Sequence, residues 1–377
     1  MGNKYFVTGA TGAVGSALIP LLLEDKSNIV WIVVRGESEL QSKERLEELI
    51  SFWEMSNAQA EDARTRVIPL KGDTDLPMFD LPDAIYKKIS CECTHIIHSA
   101  GVVRMNLPLE TARKHAVTAA QNVVKLALDC KAAGNPLKKI EFVSTVGVGG
   151  CLPGVLQEAW ITTPRKYHNT YEQSKAEAED YLKEQMKLHQ LPVTVHRPSM
   201  VVGDSQTGKI IHFQVFYHIC EFLSGRRSLG LLPTFGDMRL DTIPVNYVAE
   251  VLYWSSLQSN SIGKILHICS GAKDAITLIE LQHLVRDKMI QNQLKLPRIK
   301  RLPVTLFVVL LKIVGIFMGS KSKRALKTVP VFLNYLKDYQ SFENHQTRQF
   351  LEAFGGPKLA DKNIYLLIVL NHYLKNR

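Results

Sequence analysis

Cysteine is sparse and scattered, with six in 377 residues. Only Cys91 and Cys93 stand close together, and no second pair or His-x-x-x-His completes a set of ligands, so no metal centre is expected. Reduced structural thiols of a cytoplasmic protein are the expected state. Internal repeats and low-complexity tracts are lacking, which removes solenoids and tandem arrays from consideration. Charged residues make up 22% and hydrophobic residues 46%, too little charge and too much apolar content for a disordered chain. Nothing resembles a nucleic-acid module, so no nucleic-acid partner is expected. The chain enters a strand pattern by Tyr5, which leaves no room for a secretory leader. Phe6 stands where myristoylation needs Ser or Thr.

What the chain has in excess is positive charge, a net +10. Much of it sits late, in "KLPRIKR" (295–301) and "KSKRALK" (321–327). Those runs suit an acidic carrier protein, a phosphorylated substrate or a membrane surface, or form a solvated face. Between them lies the longest apolar run, "LPVTLFVVLLKIVGIFMG" (302–319), interrupted by Lys312. It falls slightly short of the ~20 residues that span a bilayer. The reading preferred here is a buried or lid helix lining a lipophilic acyl pocket, with peripheral membrane contact through 302–327 as the alternative.

Short apolar runs alternate with longer amphipathic ones. Strands are expected at 4–8, 29–34, 66–70, 94–98, 139–144, 193–197 and 265–268, and helices near 12–25, 40–56, 108–132 and 167–189. Runs such as "IVWIVV" are continuously apolar, as in a parallel sheet covered on both faces. The βαβα order predicts an α/β fold, a Rossmann-type doubly wound parallel sheet. After Val202 helical stretches near 210–224, 245–258 and 277–291 come with Gly/Pro turns, which predicts a smaller, mostly helical lobe. The expected division is a dinucleotide-binding domain over 1–205, rejoined by 240–270, and a substrate lobe from 206–239 and 271–377. The tail is expected to add short helices to that lobe, with its aromatics in the core.

"YFVTGATGAVG" (5–15) ends a strand and opens a helix with three glycines. Gly9 allows a sharp turn, Gly12 lets a pyrophosphate approach the backbone, and Gly15 lets the helix pack close to the sheet. The helix then aims its first N–H groups at the anion. About twenty residues on, the second strand ends in Arg35-Gly36, where NAD-preferring proteins carry an acidic residue. A guanidinium suits a ribose phosphate, so NADP(H) is favoured over NAD(H), with Arg45 assisting; a plain surface arginine is the competing reading. "GDTDLP" offers Asp73 to the adenine amino group, and "HSAGVV" offers Ser99, Ala100 and Gly101 where the chain passes close to the dinucleotide. His98 is expected to pack inside the sheet.

Tyr171 and Lys175 in "YEQSK" share one helix face. A phenol titrates near pH ~10. An ammonium ~4 Å away, at an effective dielectric of ~20, favours the phenolate by about 4 kcal/mol, enough to bring Tyr171 near pH 7 before desolvation opposes it. "FVSTVGVGG" (142–150) is an apolar strand ending in hydroxyls, and Thr145 there can donate to a substrate oxygen as negative charge develops.

The glycine turn, a Ser/Thr strand end and Tyr-x-x-x-Lys in this order resemble the extended short-chain dehydrogenase/reductases. "WIVVRG", "HSAGVV", "HRPSMVVGDSQTGK" and "LDTIPVNYVAE" resemble, more narrowly, the thioester-reductase and fatty acyl-CoA reductase (male-sterility type) branch. The resemblance covers about residues 4–270. It implies Thr145 as the catalytic hydroxyl, Tyr171 as proton donor, and Lys175 as its activator and ribose anchor. It also implies that Thr8, Gly9, Thr11, Gly12, Ala13, Val14 and Gly15 line the pyrophosphate, and that Pro198, Ser199 and Val201 lie beside the nicotinamide. One departure is Ala116, which stands where the family usually carries an active-site Asn; His115 is a candidate substitute.

The expected activity is NADPH-dependent reduction of an acyl thioester, CoA-linked or held on an acyl carrier protein, to an aldehyde or alcohol. A ketone or alcohol oxidoreductase acting on a lipid, polyketide, steroid-like or sugar-nucleotide substrate would use the same trio. An NADPH-sensing binding protein without turnover is the alternative from another class.

Overall fold

β1 (Lys4–Thr8) is apolar on both faces and buried nearly throughout, which places it at the centre of a sheet rather than on an edge. In the computed structural model, which describes residues 2–135, 137–307, 309–310 and 340–377, it lies between β2 (Ile29–Val34) and β4 (His95–His98). With β3 (Val67–Lys71), β5 (Lys139–Val143), β6 (Val193–Pro198) and β7 (Ile265–Ile268), these strands form one seven-stranded parallel sheet in the order β7-β6-β5-β4-β1-β2-β3. The order reverses between β1 and β4, and a ligand crevice opens at such a reversal, outside the carboxyl ends of the strands.

Two cores cover the two faces. One joins helices Ala13–Leu22, Glu39–Trp53 and Val245–Ser256 to Tyr5, Val7, Val30 and Ile32. The other joins Asp83–Glu92, Ala119–Ala132 and Thr170–His189 to Phe6, Trp31, Ile96 and Phe142. Helix Ala13–Leu22 carries Pro20 in its interior. Proline cannot donate to the carbonyl four residues earlier. That carbonyl, of Ser16, instead accepts from the indole Nε1 of Trp53 at 2.7 Å, so the helix keeps its core position without an orphaned acceptor.

A third core gathers helices from later in the chain, termed the second lobe. Helices Val215–Leu223, Leu278–Gln291 and Lys362–Asn376 pack around Phe216, Tyr217, Leu281 and Tyr365. Short strands stitch the lobe to the sheet domain: Met200–Val202 runs parallel to Thr242–Pro244, and Arg239–Leu240 antiparallel to Ile276–Thr277. The tail divides its helices. Lys362–Asn376 joins the lobe, whereas His345–Ala353 sits beside β7, where Thr347 Oγ1 accepts from His267 N at 2.9 Å.

The expected strands all form, within a residue or so at each end. Two helices were not expected, Asn57–Arg66 and Asp83–Glu92. The stretch expected as one helix over 108–132 is interrupted: Leu109–Arg113 passes through a π-turn at Lys114–Thr118 before Ala119–Ala132 begins. Most of the apolar run 302–319 and the basic run 321–327 lie outside the described residues. Among those described, no helix is long and apolar enough to cross a membrane, and no group of His, Cys, Asp or Glu could hold a metal.

Candidate functional site

The glycine turn folds as its residue types dictate. Gly9 has φ +80°, and a Cβ there would stand 2.5 Å from the backbone N of Ala100, so neither the conformation nor the space admits a side chain. A Cβ on Gly15 would stand 2.2 Å from the carbonyl oxygen of Gly9, which is why the helix can press against the turn only with glycine. Gly12 caps the helix with extended backbone, no side-chain cap and no acidic residue in the first turn. The N–H groups of Ala13, Val14 and Gly15 are therefore left for an outside acceptor. These features fit a pyrophosphate. Thr11 is half-buried beside them, but the hydroxyl of Thr8 is turned into the sheet, 2.8 Å from His98 Nδ1. His98 is fully buried, stacks on Phe142 at 5.1 Å, and is pushed down to about 3 by burial, a neutral core residue.

The end of β4 closes over this turn. Ser99 donates from both N and Oγ to the Thr8 carbonyl, at 3.1 and 2.9 Å. Ala100 lies against Gly9, and Gly101 lies where a Cβ would be 3.5 Å from Lys175 Nζ. The lysine is thus brought to the same crevice as the glycines from 160 residues away in sequence (175 − 15).

At the end of β2, Arg35 is half exposed and bonded to two carboxylates. Its Nε donates to Asp73 and its Nη2 to Asp75, both at 3.2 Å. Asp75 is nearly buried and also meets His115 Nδ1 at 2.5 Å. Arg45 pairs with Glu48 on its own helix at 2.9 Å. Arg35 and Asp73 therefore stand together, while Arg45 is engaged elsewhere. Ala116 is buried in the core within the π-turn, and His115 is turned to Asp75 rather than to Lys175.

Thr145 follows β5, and its Oγ1 accepts from Gly147 N at 3.1 Å, capping a short helical turn. The Tyr171 phenol lies near enough for the Thr145 side chain to favour its ionised form. One turn further along helix Thr170–His189, the Lys175 ammonium donates to the Val143 carbonyl at 3.0 Å and lies 5.7 Å from the Phe142 ring centre. The three side chains are thus one constellation, but its electrostatics differ from expectation. Tyr171 is pushed up to about 12 by burial, with the Thr145 side chain pulling down and the Glu172 charge pushing up. Lys175 is pushed down to about 8 by burial, against the Glu179 carboxylate that favours its charge. The expected phenolate near neutrality is corrected: burial raises the phenol, and Lys175, whose head is committed to the Val143 carbonyl, is not among the groups that offset it.

Three ionic arrangements around the trio were missed from sequence. Glu179 is one turn beyond Lys175 and takes the guanidinium of Arg197 with both oxygens, at 2.9 and 2.6 Å, fully buried. Arg197 also donates to Ala159 O at 3.1 Å and to His267 Nε2 at 3.2 Å. The other ring nitrogen of His267 faces the carbonyl of Glu343, which can only accept, so that nitrogen carries the proton. Glu172, next to Tyr171, accepts from His168 N, His168 Nδ1 and Asn169 Nδ2 at 2.9–3.0 Å. Asp241, buried, accepts from Ser270 N and Gly271 N at 2.8 Å each. Glu172 at position N3 of its helix was the one legible signal, since a carboxylate there is a familiar partner of the helix entrance.

A cavity of about 400 Å³ opens beside the trio. Val146, Gly147, His168, Glu172, Ser199, Met200, Met238 to Asp241 and Phe342 line it. Pro198 ends β6, and Val201 lies in register with Ile243 on the neighbouring short strand. Gly147 and Glu172 connect this space to Thr145 and Tyr171.

Comparison with known proteins places this arrangement. A non-canonical nonribosomal peptide synthetase of Aspergillus hancockii is 27% identical over 279 residues, 72% of this chain and 26% of that protein. An aldehyde reductase of Aspergillus flavus is 27% identical over 286 residues, again 72% of this chain and 26% of its own length. The chain thus spans about a quarter of these relatives. Among solved structures, the terminal R domain of the myxalamid PKS-NRPS pathway superposes with a TM-score of 0.77 at 23% identity, over 99% of this chain and 90% of that one. A thiolation-reductase di-domain of an archaeal non-ribosomal peptide synthetase gives 0.75 at 16%, over 99% and 75%. Both share the fold. The family model of the NAD-binding male sterility protein matches residues 7–252. With that match over most of its sheet domain, the chain belongs to the male sterility protein family, an oxidoreductase branch of the extended short-chain dehydrogenase/reductases.

Proposed function

We propose that the protein is an NADPH-dependent reductase of acyl thioesters, held on a carrier or on CoA, forming an aldehyde that a second reduction can take to the alcohol. The observation that carries this reading is the convergence of Thr145, just after β5, with Tyr171 and Lys175 on one helix, between a pyrophosphate-fitting turn and a cavity of about 400 Å³. Relatives that include a peptide synthetase and an aldehyde reductase support it.

Bound NADPH supplies the hydride. Gly9, Gly12 and Gly15 with the N–H groups of Ala13 and Val14 hold the pyrophosphate, Arg35 receives the ribose phosphate, and Lys175 receives the nicotinamide ribose. Arg35 keeps half of its side chain exposed and spreads its two bonds over two carboxylates at 3.2 Å, leaving donors for phosphate. The acyl carbonyl oxygen lies against the Thr145 hydroxyl and the Tyr171 phenol. Burial keeps that phenol protonated at neutral pH, the form needed to donate as the oxygen gains negative charge. The phenol proton passes to this oxygen, giving a hemithioacetal. In the collapse, the phenolate takes that proton back, the C=O bond re-forms, and the C–S bond breaks with its electron pair leaving on sulfur, which is protonated to the free thiol.

NADPH oxidation with an acyl-CoA, a carrier-bound acyl group, a ketone and an alcohol, read together with free-thiol release, tests the reading. One thiol released per NADPH oxidised where reduction stops at the aldehyde, or one per two where it runs on to the alcohol, is the expected outcome. Turnover confined to ketones, with no thiol, would overturn it. Tyr171→Phe should lose at least ~100-fold in kcat while still binding NADPH.

A further inference from the structure

The second lobe presents a surface that the reduction chemistry does not use. After helix Val215–Leu223 the chain makes a tight loop, Gly225 to Gly230, which packs on the segment that follows Pro297. Strand Lys300–Leu302 pairs with Leu231–Pro233 there, and Phe307 meets Phe222 with ring centres 6.0 Å apart, so loop and segment form one continuous edge. At the tip stands Leu229. Its side chain is 86% exposed, and its φ is +51°, a backbone conformation that L-residues other than Asn and Asp rarely keep. A leucine is thus held out to solvent at the cost of backbone strain as well, a combination that a merely connecting loop would replace with glycine. Leu306 and Val309 of the same segment are also exposed, at 46% and 51%.

Charge surrounds these apolar side chains. Arg226 and Arg227 precede Leu229, and Arg298 and Lys300 lie on the paired segment, all exposed. None of the four has an ion-pair partner among the described residues. Arg226 and Arg227 also wall an open concavity of about 560 Å³ with Arg377, and the side-chain carboxylate there, Glu221, is already bonded to Arg377 and Tyr373. Phosphate groups fit such a concavity, and an exposed leucine beside the arginines can enter the hydrocarbon that lies beneath a layer of phosphates.

We propose that this edge seats the protein on an anionic bilayer, Arg226 and Arg227 gripping lipid phosphates and Leu229 entering the acyl layer. The partner is lipid rather than an acidic protein because Leu229, Leu306 and Val309 stand exposed on the surface and line neither cavity, so they offer no pocket that would receive a partner's side chain. The proposal is independent of the reduction chemistry and stands or falls separately from it.

Sedimentation of the full chain with vesicles of phosphatidylcholine, with and without phosphatidylserine, is the test. Binding is expected only with phosphatidylserine present, and should weaken as salt is raised. At roughly fivefold per basic residue, Arg226→Glu with Arg227→Glu should weaken it at least tenfold. Leu229→Gly separates membrane contact from folding: it relieves the positive φ and so should leave the unfolding midpoint equal or higher, yet weaken vesicle binding at least fivefold. Failure of the parent chain to bind anionic vesicles overturns the proposal. So does undiminished binding by both variants, which would place any attachment away from the Gly225–Gly230 loop. So does a selective rise in KM for carrier-bound over CoA-linked thioesters in the charge-reversed variant with vesicle binding intact, which would make the edge a carrier dock.

Discussion

Replacing Lys175 with methionine should make the protein more stable and inactive at once. Burial holds this ammonium down from its ordinary 10.5 to about 8. Between those values the unfolded chain binds more protons than the folded one, so the wild-type protein gains stability as pH rises through that window. Below about pH 8 the whole penalty is present, about 3 kcal/mol at ~1.4 kcal/mol per tenfold. Methionine fills nearly the same volume and removes the penalty, but it gives up the hydrogen bond to the Val143 carbonyl, worth ~1 kcal/mol. Lys175→Met should therefore unfold with a free energy about 2 kcal/mol higher than wild type near pH ~7, and the difference should vanish near pH ~10. Urea unfolding followed by tryptophan fluorescence at the two pH values measures it, and NADPH oxidation measures the lost turnover. A variant less stable than wild type at neutral pH, or a difference that does not change with pH, would refute the reasoning.

Gly9→Ala should destabilise by roughly 1–3 kcal/mol and weaken dinucleotide binding. Gly134→Ala, also at positive φ (+68°) but with nothing within 4 Å of its Cβ, provides the control, and equal effects at both positions would mean that the close approach to Ala100 does not matter. Glu179→Gln leaves the fully buried Arg197 without its carboxylate and should cost ~3–5 kcal/mol, most of it recovered by adding Arg197→Met. Removing the Glu179 charge also lowers Lys175 further, so any alkaline limb of the rate profile that reports Lys175 should move to lower pH; an unmoved limb counts against the coupling. Arg35→Ala should narrow the preference for NADPH over NADH by about tenfold or more, read as the ratio of kcat/KM values, and an unchanged ratio would remove Arg35 from phosphate recognition.

The strands could be read because a parallel strand covered on both faces must be apolar throughout, and "IVWIVV" has no other home in a soluble fold. Helix Asn57–Arg66 escaped because it buries little beyond Ala60 and Ala63 and so carries no apolar stripe; its signal lay in the Ser56–Gln59 capping box instead. The glycine turn was legible because Gly9 and Gly15 stand where no other residue fits, and glycines at that spacing mark a turn. Tyr171 and Lys175 were legible because helical spacing fixes their shared face. Their protonation was not, because spacing along a helix says nothing of the Val143 carbonyl, supplied by a different strand, which takes the lysine head. The same holds for Arg197 with Glu179 and for Asp241 with the turn after β7: each partner is set by how the sheet and lobe meet, and no local pattern records it.

That last contact has a practical reach. Asp241 ties the strand segment that borders the cavity to Ser270 and Gly271, and Gly271, at φ +89°, presses on Asn344, whose amide holds the carbonyl of Cys269 at 2.7 Å. Three stretches distant in the chain are cross-braced at one small knot beside the cavity. Anyone building chimaeras to change what the enzyme accepts would do well to move all three stretches together, because a donor lobe that arrives without its own knot would leave a carboxylate stranded under the very wall meant to be redesigned.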